Sequence, residues 1–431
     1  MNKKDIYATI LLLFLSFFSV GILKILFQIN VVANSGSTGH IAEELGCLAI
    51  AAGWESYIAY GRWACPSQSN LIQVGSKKDI MFHGMKSLLF DRHGFGSRRA
   101  TLKLITRIER IKPTIIHLHN VHGYYLNCKI LFEYLATVGI PVVWTLHDCW
   151  SMTGHCVHFQ NVECEKWMSG CYRCPNKHDY PASLFLDNSR MNYLEKRRLF
   201  KSIGDLTIVP VCNWLDHIVS RSFLFSIKRQ VIVNGIDLTV FMPLENRWSL
   251  KQIIGVNTRF MILAVATVWG KTKGFCDIQA LSSMISEHDV IVMIGLTSQQ
   301  IKKLPSNIIG IERTENIGRL VEFYSAADVF INPTYQDTFP TVNIEALACG
   351  TPVITYDTGG SADIVSTTTG VVVNRGNIQS LFKSIELIKE KGKDYYKQNC
   401  RQRAIQYFNK SDRYKDYMAL YNQLTDTDCN S

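Results

Sequence analysis

Lys271-Thr272-Lys273-Gly274 places two ammonium groups beside glycines just past an apolar run. Lysines there suit a diphosphate, because they offset leaving-group charge without moving a proton. A solvated loop charge is the plainer account of this segment taken alone. Gln336 to Ile364 spaces Asp337 and Glu345 eight residues apart, with Thr341 between them as an expected helix cap and Gly350-Thr351-Pro352 as the expected stop. Carboxylates accept two hydrogen bonds at once and so suit ribose and sugar hydroxyls. Gly36-Ser37-Thr38-Gly39 forms a turn through which backbone N–H groups can approach an anion, although a tight turn serves equally. His147 and Asp148 close an apolar run, where an imidazole meets ligand rather than core. The full dinucleotide fingerprint and the phosphate-loop lysine motif are both missing, which disfavours those sites.

Cys156, Cys164, Cys171 and Cys174 follow in a loop-like stretch and close on C-x-x-C. That pattern is a candidate structural zinc site, with His155 or His158 able to replace a ligand and with disulfides or unligated thiols as alternatives. The only Asp-x-Asp triplet, Asp426-Thr427-Asp428, lies in the last six residues, so no catalytic metal is expected. Arg99, Lys103, Arg107 and Arg110 run along one side of a predicted helix from Arg98 to Ile111. Such a helix either rests on an anionic membrane or simply covers the sheet.

These groups need a scaffold that brings strand ends together. The 431 residues, with 47% hydrophobic and 19% charged, describe a packed chain of two or three domains and exclude disordered, collagen-like and coiled-coil classes. The net charge of +10 favours an anionic partner. Nine apolar, Val- and Ile-rich runs alternate with helical stretches: from Ile25, Thr114, Pro141, Leu206, Arg229, Phe260, Asp289, Asp328 and Thr351. That grammar predicts an α/β fold of two parallel-sheet domains, each sheet covered on both faces. Ligands in such sheets bind beyond the carboxyl ends of strands, where nearly all the polar segments fall, so a cleft between the domains is expected. The expected divisions are an apolar segment 1–23, a first domain 24–228 with a Cys-rich insertion 155–175, a second domain 229–400 and a helical tail 401–431. Ile6 to Leu23 carries no charge and is a candidate membrane anchor. Thirteen cysteines without an even framework indicate a reducing compartment.

The sequence resembles the retaining glycosyltransferases of family 4, with GT-B architecture, and in particular those that build bacterial capsule, exopolysaccharide or colanic-acid-type repeat units. The resemblance rests on Asn234-Gly235-Ile236-Asp237 with Phe241 and Pro243, on Lys273-Gly274, and on Asp337-x7-Glu345 followed by Gly350, Pro352 and Gly359-Gly360. It implies a nucleotide-sugar donor, an oligosaccharide or lipid-linked acceptor, no nucleic acid, and work at the cytoplasmic side of the inner membrane as a peripheral or single-pass protein. It implies that Glu345 binds the ribose, Asp337 the donor sugar and Lys273 the diphosphate. Gly36 to Gly39 would close over the donor, with His147 near the transferred sugar. Where the family has Glu-x7-Glu, this chain has Asp337. Where it has an arginine before the Lys-Gly pair, this chain has Thr267 and Val268, so either one diphosphate contact is missing or Lys271 supplies it. A sugar-nucleotide epimerase, a zinc hydrolase and a non-catalytic nucleotide-sugar binder are the competing readings.

Overall fold

The computed structural model describes residues 23–245 and 247–426. The candidate anchor therefore lies outside the described residues except for Leu23, and so does Asp428 of the Asp-x-Asp triplet. Among the described residues, thirteen strands make two all-parallel sheets. The first is built from β1 (Ile25–Asn30), β2 (Glu55–Tyr60), β3 (Asn70–Gln73), β4 (Ile115–Leu118), β5 (Val142–Leu146), β6 (Leu206–Pro210) and β7 (Lys228–Arg229). The second is built from β8 (Phe260–Val265), β9 (Asp289–Ile294), β10 (Ile308–Ile311), β11 (Val329–Asn332), β12 (Val353–Tyr356) and β13 (Gly370–Val373). Their orders are β3-β2-β1-β4-β5-β6-β7 and β10-β9-β8-β11-β12-β13. Each order reverses direction beside its first strand, and that reversal opens the crevice in which doubly wound sheets bind ligands. β4, β5, β9, β11 and β12 are buried along their whole length, as strands covered on both faces must be.

The run from Arg229 departs from expectation. Only Lys228–Arg229 is strand, and it pairs with β6 in the first sheet rather than opening the second. The chain then leaves the sheet. Ile236 N donates to Phe408 O at 2.9 Å and Lys410 N to Ile236 O at 3.0 Å. The outgoing link and the returning C-terminal chain thus cross side by side. Gly235 is required there, because a Cβ at this position would stand 2.6 Å from Lys410 Cα. Asp237 pairs with Lys410 at 2.9 Å, and Lys410 also reaches Glu44 at the same distance. The final helix, Lys410–Asp426, docks on the first sheet, with Tyr414, Tyr417, Leu420 and Tyr421 buried in one cluster with Leu26, Ile115 and Val143. Asp426 closes that helix on Lys24 at 2.6 Å. Among the described residues no helix is long and apolar enough to cross a membrane.

Candidate active site

Gly270 and Gly274 bracket a single 3-10 turn, Lys271–Lys273, at the carboxyl end of β8. The loop after β11 is tied to that turn, since Tyr335 N donates to Thr272 O at 2.8 Å and Thr334 Oγ1 donates to it at 3.3 Å. The tie brings Lys273 Nζ to 2.6 Å from Asp337 Oδ2, and both side chains remain partly open to solvent. Gly359 lies against the same loop at φ +56°, where a Cβ would fall 1.7 Å from Asp337 O. A side chain at Gly359 is thus excluded both by the left-handed backbone and by contact with the peptide of Asp337.

Thr341 is not the cap of its helix. Pro340 occupies the N-cap, and Thr341 is the first residue of the helix Thr341–Ala348. Proline at the cap position leaves the threonine hydroxyl free for another partner, and it bonds to Glu345 one turn on. Glu345 also accepts from the Tyr324 hydroxyl at 2.8 Å. Burial raises its carboxyl above the usual range, and the two hydroxyls partly offset that effect. Asn343, on the same helix, accepts from Asn332 at 2.8 Å while its own amide nitrogen is buried without a partner.

On the first lobe, Gly36 opens the helix Gly36–Ala51 at φ +61°, and Ser35 at its N-cap makes no side-chain cap. Thr38 meets Asn30 at 3.3 Å, holding the turn on the end of β1. His147 stacks on His119 at 5.6 Å between ring centroids, and their facing nitrogens are 3.3 Å apart. Burial drives the His147 pKa down to about 4, which keeps the imidazole neutral near pH 7. His117 lies deeper, between Thr145 at 2.8 Å and the Tyr421 hydroxyl at 2.6 Å, and belongs to the core.

Sequence reasoning missed His122, and it placed His158 among the candidate zinc ligands rather than in the cleft. His122 Nε2 stands 2.7 Å from Asp148 Oδ2, and Asp148 also accepts from Trp150 N at 2.8 Å. Burial opposes the Asp148 charge, yet His122, the bond it makes and nearby His158 outweigh it and bring the carboxyl to about 2. His122 lies in the loop after β4, so the available signal was its position just beyond the histidine-bearing strand end. His158 is the point where the two half-sites meet. Burial holds it neutral, and it feels the charges of Asp148 on one lobe and of Asp337 and Lys273 on the other. The lobes also touch directly: Trp214 N donates to Asp363 Oδ2 at 2.9 Å, and the Cys212 thiol to Thr338 O at 3.4 Å.

Cys156, Cys164, Cys171 and Cys174 line one small cavity with His155, Phe159 and Trp167. The Cys156 and Cys174 thiols share a hydrogen bond that draws Cys174 down to about 7, while burial lifts Cys171 to about 12. Among the described residues, no group of three or more His, Cys, Asp and Glu side chains could hold a metal ion as placed. His155 is turned to Asp91, 2.5 Å away.

Residues 291–407 match the family described as Glycosyl transferases group 1. With its two facing parallel sheets and this transferase domain, the chain is a glycosyltransferase of GT-B architecture. It is 25% identical over 371 residues to WcaC of Escherichia coli (strain K12), named for colanic acid biosynthesis, covering 82% of this chain and 88% of that one. It is 27% identical to the capsular polysaccharide biosynthesis glycosyltransferase CapM of Staphylococcus aureus, covering 50% of this chain and 61% of that one. Among solved structures, sucrose-phosphate synthase from Thermosynechococcus elongatus superposes with a TM-score of 0.70 at 16% identity, over 94% of this chain and 100% of that one. Anabaena Alr3699/HepE in complex with UDP superposes with 0.65 at 15% identity, over 93% and 100%.

Proposed function

We propose that this chain is a retaining hexosyltransferase that moves a sugar from a nucleotide-sugar donor to a growing, lipid-linked surface-polysaccharide intermediate at the cytoplasmic face of the membrane. The observation that carries the reading is the Lys273–Asp337 pair at the mouth of β8 and β11. It sets one cation for a diphosphate beside one carboxylate for sugar hydroxyls. In this reading Glu345 holds the ribose, Lys271 and Lys273 the diphosphate and Asp337 the donor sugar, while Gly36-Ser37-Thr38-Gly39 covers the donor and neutral His147 faces the transferred sugar. In this reading the lobe of the first sheet, through Arg229, takes the acceptor, the lobe of the second sheet takes the donor, and the helix Lys410–Asp426 returns to the first. WcaC and CapM, named for colanic acid and capsular polysaccharide, and the UDP complex of HepE support this assignment.

Among the described residues no pair of buried carboxylates offers itself as nucleophile and acid. The acceptor oxygen therefore bonds to the anomeric carbon on the face that the diphosphate leaves, and the acceptor proton passes to the departing phosphate oxygen. Lys273 and helix N-termini stabilise the charge that develops there.

The membrane part of the reading has its own support. The apolar side of the helix Arg98–Ile111 is turned into the core through Leu104 and Ile108, leaving its arginines and Lys103 outside. It is the neighbouring helix Lys77–Phe90 that exposes apolar side chains: Met81, Phe82, Met85, Leu88, Leu89 and Phe90. Leu184 N donates to Leu88 O at 2.8 Å and brings the exposed Leu184-Phe185-Leu186 loop onto the same surface. A contiguous apolar patch beside a basic helix fits an anionic bilayer. Structural zinc on the four cysteines is the remaining part of the proposal, supported by their shared cavity.

The experiment is incubation of the full chain with a panel of nucleotide sugars, with and without lipid-linked acceptor, while following nucleotide diphosphate release. Acceptor-dependent release that Lys273→Ala abolishes is the expected outcome. Donor isomerisation without acceptor would make the protein an epimerase, and binding without turnover would make it a sugar-nucleotide binder.

A further inference from the structure

The Cys-rich insertion does more than decorate the first lobe. Its Gln160 reaches across to the second, where Arg375 Nη1 donates to Gln160 O at 2.5 Å and the same guanidinium pairs with Glu163. This clamp sets the Gln160 side chain over Gly359, where a Cβ would come 3.5 Å from Gln160 Nε2 and 1.7 Å from Asp337 O. Yet both polar atoms of the Gln160 amide are buried and have no protein partner. Around the same turn, His158 Nδ1, Thr338 Oγ1 and Thr358 Oγ1 are in the same condition.

A buried amide or hydroxyl left unpaired loses its hydration with nothing in return. Native proteins keep few such groups, so several from both lobes beside one carboxylate mark a place shaped for a polar ligand. The chemistry selects the ligand. A primary amide both donates and accepts, and two hydroxyls add the same capacity, whereas a phosphate only accepts and would leave the accepting half of these groups unused. The matching group is a neutral ring bearing hydroxyls.

We propose that Gln160, supported by His158, reads the hydroxyl pattern of the donor's sugar, so that donor choice is set in part by the Cys-rich insertion of the acceptor lobe. The proposal rests on the nucleotide-sugar reading above. Gln160 here is a specificity-determining residue, and Arg375 a positioning residue that acts through it.

The test is calorimetric titration of the full chain with a nucleoside diphosphate and with the nucleotide sugar that the panel identifies. Wild type is expected to bind the sugar nucleotide more tightly than the bare diphosphate. Gln160→Ala, and Gln160→Met as a variant that preserves volume, should weaken the sugar nucleotide about tenfold while leaving the diphosphate within about twofold. The ratio of kcat/KM between two donors that differ at one hydroxyl should also fall toward one. Equal loss for both ligands, or no loss, would overturn the assignment of Gln160 while leaving the transferase reading standing. Failure of wild type to bind any nucleotide sugar would overturn both.

Discussion

Tyr324 donates its hydroxyl to Glu345 at 2.8 Å, from a helix, Ile317–Ala326, that abuts the one carrying the carboxylate. The bond leaves Glu345 with accepting capacity to spare, and burial raises its pKa above the ordinary carboxylate value of about 4.3. Only the ionised form can accept from two ribose hydroxyls, so donor affinity should fall as pH drops through the raised value. Stability moves the other way. Between the unfolded and folded pKa values the native state binds more protons than the unfolded one, so this group favours folding less as pH rises through that interval. Glu345→Gln should abolish both pH dependences and weaken donor binding by about ten- to a hundredfold, the loss of one charge-assisted hydrogen bond. Titration of nucleotide diphosphate between pH 4.5 and 8 reads the first, and denaturant midpoints across the same range read the second.

The C-terminal helix holds the first sheet by specific bonds as well as by packing. Tyr421 shares a 2.6 Å hydrogen bond with His117 Nδ1, and Thr145, which meets the other nitrogen of that ring at 2.8 Å, lies 3.0 Å from the Tyr417 hydroxyl. Both partners of His117, and Tyr417 beyond Thr145, are buried. Tyr421→Phe should therefore lower stability by about 1–3 kcal/mol, the cost of a buried ring nitrogen left unpaired. Tyr417→Phe should cost less, because Thr145 keeps His117 as a partner. Urea unfolding of the two variants decides it, and equal effects would show that packing alone matters.

The strands legible in the sequence are the ones buried on both faces. TIIHLH, PVVWTLH, LTIVPV, DVIVMIG, DVFINP and TPVITY all contain strands of the two sheets. The four that escaped are short, polar or at an edge. Asn70–Gln73 is largely exposed, Glu55–Tyr60 alternates in burial, Ile308–Ile311 is an edge strand, and Gly370–Val373 begins on glycine. One run was overread, because apolar residues 231–233 line a link between lobes rather than a strand. In the site, Lys273 and Asp337 could be named because each follows a readable strand. His122 and Gln160 could not, and His158 could be named only as a possible zinc ligand, since loops with no periodicity bring them to the cleft and only tertiary contacts such as Arg375 to Gln160 reveal their direction.

The apolar patch gives a prediction about where the protein works. Phe82 is 60% exposed and Phe185 70%, and neither touches the groups assigned to the donor. Burying one phenylalanine in a bilayer interface is worth about 1.5–3 kcal/mol. Phe82→Asp should then weaken association with phosphatidylglycerol vesicles by at least tenfold, with Phe185→Asp acting in the same direction. Raising the salt should weaken wild type as well, because exposed Arg99, Lys103, Arg107 and Arg110 act through screened charge. Co-sedimentation measures both. Undiminished binding of the double variant would place the membrane contact elsewhere on the chain.

The four thiols make the last prediction, on metal content. Cys174 already inclines toward thiolate because Cys156 donates to it, and a bound cation would draw in Cys156, whose thiol is held up by that same bond and by burial, and Cys171, held up by burial. Zinc binds each sulfur at about 2.3 Å in a tetrahedron, so loading should turn the four side chains from their present placement toward one centre in the cavity they line. Protein purified without chelator should carry about one zinc per chain by mass spectrometry of the metal, and Cys174→Ser should lose it. Zinc removal should also loosen the insertion that carries His158 and Gln160, so donor affinity ought to fall while diphosphate affinity holds. A metal-free wild type with full activity would make these four cysteines packed thiols and nothing more.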